Sequence, residues 1–139
     1  MQKSVNNTTI TRGPTCSVTS TLRRSYDTSD LCGIAQKILG STYHLSVVLI
    51  GDKKARLLNK AHRNKDTAAN VLSFPLDHTQ GEIFLNVARI IREAHTFDLT
   101  PEGHLRYLLI HGCLHLKGHS HGGTMEEAER RFVKKFSLR

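Results

Sequence analysis

Histidines at positions 111, 115 and 121, with a glycine at 118, constrain this chain more than any other feature of it. His111 and His115 stand four residues apart, so on a helix they project from one face with about 6 Å of axial rise between them. Gly118 predicts where that helix ends, because glycine accepts the left-handed conformation that closes helices. A chain that turns back there can carry His121 to the same point in space. Three neutral imidazoles at one point are the donor set of a mononuclear zinc site with an open fourth position, where a bound water would be acidified. Any fold for this sequence has to supply a helix end with a return turn beside it.

Offsets of 0, 4 and 10 with glycine at 7 are those of the metzincin peptidases. In that motif a glutamate follows the first histidine and acts as general base on water at the metal. Gly112 occupies the position here, so a metallopeptidase reading keeps the metal geometry and lacks its base. His119 competes with His121 for the third place, since a small change in the turn would exchange them; the spacing selects His121. His104, two turns before His111 and about 10 Å away, is too distant to share the metal and reads as solvated or as a support behind the ligands. His44, His62, His78 and His95 read as surface residues.

Around this helix the apolar spacing predicts a helix over residues 30–39, closed by Gly40, and a buried strand over 44–50. Asp52 reads as the cap of a helix to about His62, with Ala55, Leu58 and Ala61 inward and Lys53, Lys54, Arg56 and Lys60 outward. Short strands follow over 70–74, ended by Pro75, and over 82–85. Asn86 opens a further helix, and Thr100-Pro101-Glu102 starts the central one, proline standing where its missing donor costs nothing. Thr124-Met125-Glu126-Glu127 reads as a capping box for a last helix burying Met125, Ala128, Phe132, Val133 and Phe136. The fold class expected is α+β: a single domain with a small mixed β-sheet, about five helices, and a zincin-like three-histidine metal site at the end of the central helix.

Three blocks carry a family resemblance. His111-Gly-Cys-Leu-His115-Leu-Lys-Gly118-His-Ser-His121 resembles the H-G-x-L-H-L-x-G-x-D-H signature of the YbeY endoribonucleases, or rRNA maturation factors. Arg63-Asn-Lys-Asp66-Thr-Ala-Ala-Asn70-Val-Leu-Ser-Phe-Pro75 is similar to that family's Y-R-x-K-D-x-P-T-[ND]-V-L-S-F-P. Gly81-Glu-Ile-Phe-Leu85 followed by Arg92-Glu-Ala94 resembles its G-D-I-x-[IL] and x-E-A. The blocks stand in family order, over roughly residues 31–136. Ser120 replaces the family's aspartate, and Ala68-Ala69 its Pro-Thr.

The resemblance implies a zinc-dependent endoribonuclease cutting single-stranded RNA in ribosomal RNA maturation and ribosome quality control, with the small ribosomal subunit as partner. One zinc per chain would be held by His111, His115 and His121. Phosphodiester cleavage builds negative charge on the phosphoryl oxygens, and Arg63, where the family keeps its functional arginine, offers paired donors that stay charged. Asp66 and Glu82 lie in the matched blocks, but no general base is assigned. A non-catalytic ribosome-assembly factor with structural zinc is the third reading, beside the metallopeptidase.

A chain of 139 residues fits one domain, and its net charge of +8 favours polyanions such as RNA. No apolar run is long enough to span a bilayer. Cys16, Cys32 and Cys113 are odd in number and widely spaced; they read as unpaired, suiting a reducing compartment, and Cys113 as a small buried hydrophobe. The first 26 residues contain Lys3, Arg12, Arg23 and Arg24 and no acid. Residues 1–29 are therefore set apart as a leader or as a tail with one edge strand near residues 8–11, and 30–139 as the domain. The localisation expected is cytoplasmic, with organellar targeting as the alternative. Oligomeric state is left open.

Overall fold

The computed structural model describes residues 8–12, 15–118 and 123–135. Five strands form one mixed sheet in the order β1-β2-β3-β5-β4, from β1 (Thr8–Arg12), β2 (Cys16–Ser20), β3 (His44–Ile50), β4 (Val71–Asp77) and β5 (Gln80–Asn86). Parallel pairing joins β2 to β3 and β3 to β5, whereas β1 and β4 run antiparallel at the two edges. Five α-helices accompany the sheet: α1 (Leu31–Leu39), α2 (Asp52–Arg63), α3 (Val87–Ala94), α4 (Pro101–Leu116) and α5 (Gly123–Lys135). The protein is a small α+β domain, as expected. No helix among the described residues is long and apolar enough to cross a membrane.

Period-two alternation sends Val18, Leu45, Val47, Leu49, Ile83 and Leu85 to one face of the sheet, where they share a core with α1, α3, α4 and α5. The register supports this, since Val18 lies opposite Val47 and Val47 opposite Ile83. At the centre is α4, which buries Leu105, Leu108, Leu109, Ile110, Cys113 and Leu114. A helix apolar on nearly all sides belongs inside. On the opposite face lies α2, with the His62 ring 4.8 Å from that of Phe74. Ala55 and Asn59 are its buried positions, Leu58 is half-buried, and Ala61, expected inward, is exposed.

Four further expectations are corrected. The segment set apart as residues 1–29 does contain the edge strand expected near residues 8–11, as β1, but it also contains β2, an unexpected strand that lies beside it in the same sheet. Only Cys16, Val18 and Ser20 of β2 need burial, so its Ser and Thr residues hid it in the sequence. Arg106 fastens the segment that follows, donating to both oxygens of Asp30 at 2.6 and 2.8 Å and to the Asp27 carbonyl at 3.3 Å. Cys16 and Cys32 are joined by a disulfide across β2 and α1, their Cα atoms 5.7 Å apart, so the cysteines are not all unpaired. Pro75 does not end its strand: β4 is an edge, where a missing donor is tolerated, and its register shifts between Pro75 and Asp77. Finally, Asp52 begins α2 after Gly51 and makes no cap bond; its carboxylate instead receives Arg92 at 2.7 and 3.1 Å and Asn86 at 2.9 Å.

Candidate metal centre

The Thr100 hydroxyl accepts from Gly103 N at 3.0 Å and starts α4, and Gly118, at φ 102°, follows its last turn. Within that helix His111 and His115 meet as their spacing requires, ring centroids 4.7 Å apart. Their Nε2 atoms face each other at 3.2 Å. Zinc–imidazole bonds of about 2.0–2.1 Å in a tetrahedron place neighbouring nitrogens about 3.3–3.4 Å apart, so this pair fits one edge of such a site. His121 and His119 lie outside the described residues. Among those described, no three of His, Cys, Asp and Glu form a metal-holding group.

A carboxylate stands behind the first histidine. His111 Nδ1 bonds Glu129 Oε2, and Tyr107 donates its hydroxyl to Glu129 Oε1 at 3.4 Å. Glu129 is buried, reaching inward from α5 beside Met125 and Ala128. Sequence reasoning did not name it. The signal available was a carboxylate four residues after Met125 and three before Phe132, on the apolar stripe of its own helix.

Gly112 packs directly on the sheet. A Cβ there would lie 2.8 Å from Ser73 Oγ and 3.1 Å from Ile83 Cδ1. The Ser73 hydroxyl donates to the Gly112 carbonyl at 3.3 Å, binding edge strand β4 to α4 beside His111. From the other side Arg63 Nη2 donates to the Ser73 carbonyl at 3.2 Å, its guanidinium carbon 5.7 Å from the centre of the Phe74 ring. Asn64, at φ 56°, closes α2 immediately after Arg63 and delivers that side chain to the strand. Ser73 thus connects Arg63 to the histidine helix. Arg63 is exposed and pairs with no carboxylate among the described residues.

The remaining candidates separate from the site. Asp66 forms an exposed ion pair with Arg56 at 2.7 Å, and Glu82 is half-buried on β5. Cys113 is fully buried, and desolvation pushes its thiol well above the ordinary range, which leaves it an inert core residue. His104 is not solvated: it is 1% exposed and bonds Glu93 at 2.8 Å. Lys53, Lys54, Arg56 and Lys60 of α2 are all exposed, as are Arg130, Arg131, Lys134 and Lys135 of α5.

Comparison with known proteins agrees with this architecture. The solution structure of TM1509 from Thermotoga maritima superposes with a TM-score of 0.58 at 28% identity, covering 76% of this chain and 78% of that one. Endoribonuclease YbeY of Neorickettsia sennetsu is 37% identical over 110 residues, 71% of this chain and 77% of that protein. The Stutzerimonas stutzeri endoribonuclease YbeY is 34% identical over 122 residues, 82% and 74% of the two lengths. The family model described as Endoribonuclease YbeY matches residues 17–137, from within β2 past the end of α5. By its sequence over nearly its whole length, this chain belongs to the YbeY family of endoribonucleases.

Proposed function

We propose that this protein is a zinc-dependent endoribonuclease that cuts single-stranded RNA during ribosomal RNA maturation and ribosome quality control. The observation that carries the metal reading is the 3.2 Å approach of two Nε2 atoms, with His111 Nδ1 already engaged by a carboxylate. Two ring nitrogens at this separation can be bridged by one cation, and His121 is the third donor proposed. Bound there, zinc supplies a Lewis acid able to activate water near neutral pH.

The protein's own part is to position RNA and to meet charge. Arg63 spends one N–H on Ser73 and keeps others for the phosphoryl oxygens as their charge grows. Exposed cations on α2 and α5 hold the RNA backbone and fit ribosomal RNA of the small subunit as partner. The test is single-turnover cleavage of a labelled rRNA fragment at saturating protein, with and without chelator. Cleavage should stop on chelation and return with zinc. Arg63→Lys keeps the charge but loses the planar fork, and cleavage should fall on the order of 10²- to 10³-fold with RNA affinity little changed. Full cleavage in Arg63→Ala would refute the arginine's role. Zinc and RNA binding without any cleavage would leave a non-catalytic assembly factor.

A further inference from the structure

We infer that Glu129 is the positioning carboxylate of the metal site, holding His111 with its proton on Nδ1 so that Nε2 is presented to the cation. The inference rests on the metal reading above and adds a residue from a different helix to it. A neutral imidazole carries one N–H, and whichever nitrogen donates leaves the other as the ligand. Glu129 Oε2 takes the Nδ1 side, and Nε2 points at the corresponding atom of His115.

Burial makes this more than a surface contact. The Glu129 side chain is 8% exposed and that of His111 20%. A carboxylate taken out of water is costly unless its oxygens find donors. Among the described residues its hydrogen-bond partners are the His111 ring and, at a long 3.4 Å, the Tyr107 hydroxyl. Neither is a permanent cation. A divalent ion across the ring would supply positive charge through His111, so carboxylate and metal would each stabilise the other's place. Ser120 stands at the position where an aspartate is expected beside His121, and Glu129 provides a carboxylate to the site by another route. Because it comes from α5, docking of that helix and formation of the site are one event.

The experiment uses the full chain with zinc alone and no RNA. Dissociation constants would be measured by competition with a chromophoric chelator for the parent protein, Glu129→Leu and Glu129→Gln. Glu129→Leu should weaken zinc about 10- to 100-fold, the usual cost of removing such a partner. Glu129→Gln should lose less, since its amide oxygen can still accept the Nδ1 proton. In the metal-free protein, nitrogen-15 spectra should place the His111 proton on Nδ1 in the parent and redistribute it to Nε2 in Glu129→Leu. A merely structural Glu129 would lower the metal-free melting temperature while leaving zinc affinity of the folded protein and the tautomer unchanged, and that result overturns the inference. Should Glu129→Leu not fold, Glu129→Gln binding zinc as tightly as the parent, with the parent's His111 proton found on Nε2, overturns it equally. A parent chain that binds no zinc overturns this inference together with the metal reading, whereas equal affinity in parent and variants overturns this inference alone.

Discussion

His104 and His111 sit on one face of α4, seven residues apart, and each meets a glutamate from another helix. Around His104 the carboxylate is well supplied with donors, while the ring's own Nδ1 is buried without a hydrogen-bond partner among the described residues. Glu93 receives Asn70 at 2.8 Å, the His104 ring at 2.8 Å and Arg89 at 3.2 Å, tying the start of β4, α3 and α4 together. The ring is stacked between Phe97, at 5.0 Å, and Tyr107, at 6.0 Å. Around His111 the carboxylate has fewer donors among the described residues, the ring is partly exposed, and its second nitrogen faces another imidazole. One histidine–glutamate pair is a strut whose carboxylate is held by three donors within the fold. The other joins a carboxylate on one side of the ring to a second imidazole on the other. What separates structural from functional here is how many neighbours converge on the carboxylate, since residue type and helix position are the same.

The largest expected effect tests the open pair. His111→Ala should weaken zinc by more than the ~10- to 100-fold typical of an outer partner, and cleavage should disappear with it. His104→Ala should leave zinc affinity unchanged; loss of zinc in both would erase the distinction. The next effect belongs to the strut. Removing the His104 ring deletes buried packing and one donor to Glu93, destabilising the metal-free protein by about 2–4 kcal/mol, seen as a fall in melting temperature of roughly ten degrees. An unchanged melting temperature would mean the strut carries no strain.

Acid provides a third, milder probe. Burial pushes the Glu93 carboxyl up, but bonds from Asn70, His104 and Arg89 outweigh it and hold the group below its ordinary value of 4.5. A carboxyl lowered in the folded state contributes stability that is present above its unfolded value and lost as pH falls through the folded one. Metal-free stability should therefore decline below about pH 4.5 more steeply in the parent than in Glu93→Gln, measured by denaturant unfolding. Parallel profiles would remove Glu93 from the strut. Smallest of all, Tyr107→Phe should change zinc affinity less than tenfold, because its 3.4 Å bond is a minor support of Glu129.

The parts legible in the sequence are those fixed by local spacing. His111 and His115 meet because four residues make about one helical turn, and Asn86 and Thr100 open α3 and α4 because their side chains accept the free amides there. Contacts set by tertiary packing were not legible. Cys16 and Cys32 are 16 positions apart and join only because α1 returns over β2. Glu93 reaches His104, and Glu129 reaches His111, from helices whose docking no pattern in α4 specifies. Pro75 reads as a strand end until β4 is known to be an edge. Arg63 was found through its family block, while its hold on Ser73 depends on how α2 meets that strand.

The contact at Gly112 closes off one future for this scaffold. To admit a side chain there, Ser73 would have to turn away from a Cβ at 2.8 Å and release the Gly112 carbonyl, and Ile83 would have to yield as well. Ser73 is also where Arg63 rests. Installing a glutamate beside His111 would therefore loosen the strand that positions the arginine. The two ways of equipping this helix end, a carboxylate base or an arginine at the strand edge, both act on Ser73, the first through its hydroxyl and the second through its carbonyl. A substitution at Gly112 would first have to displace the side chains of Ser73 and Ile83.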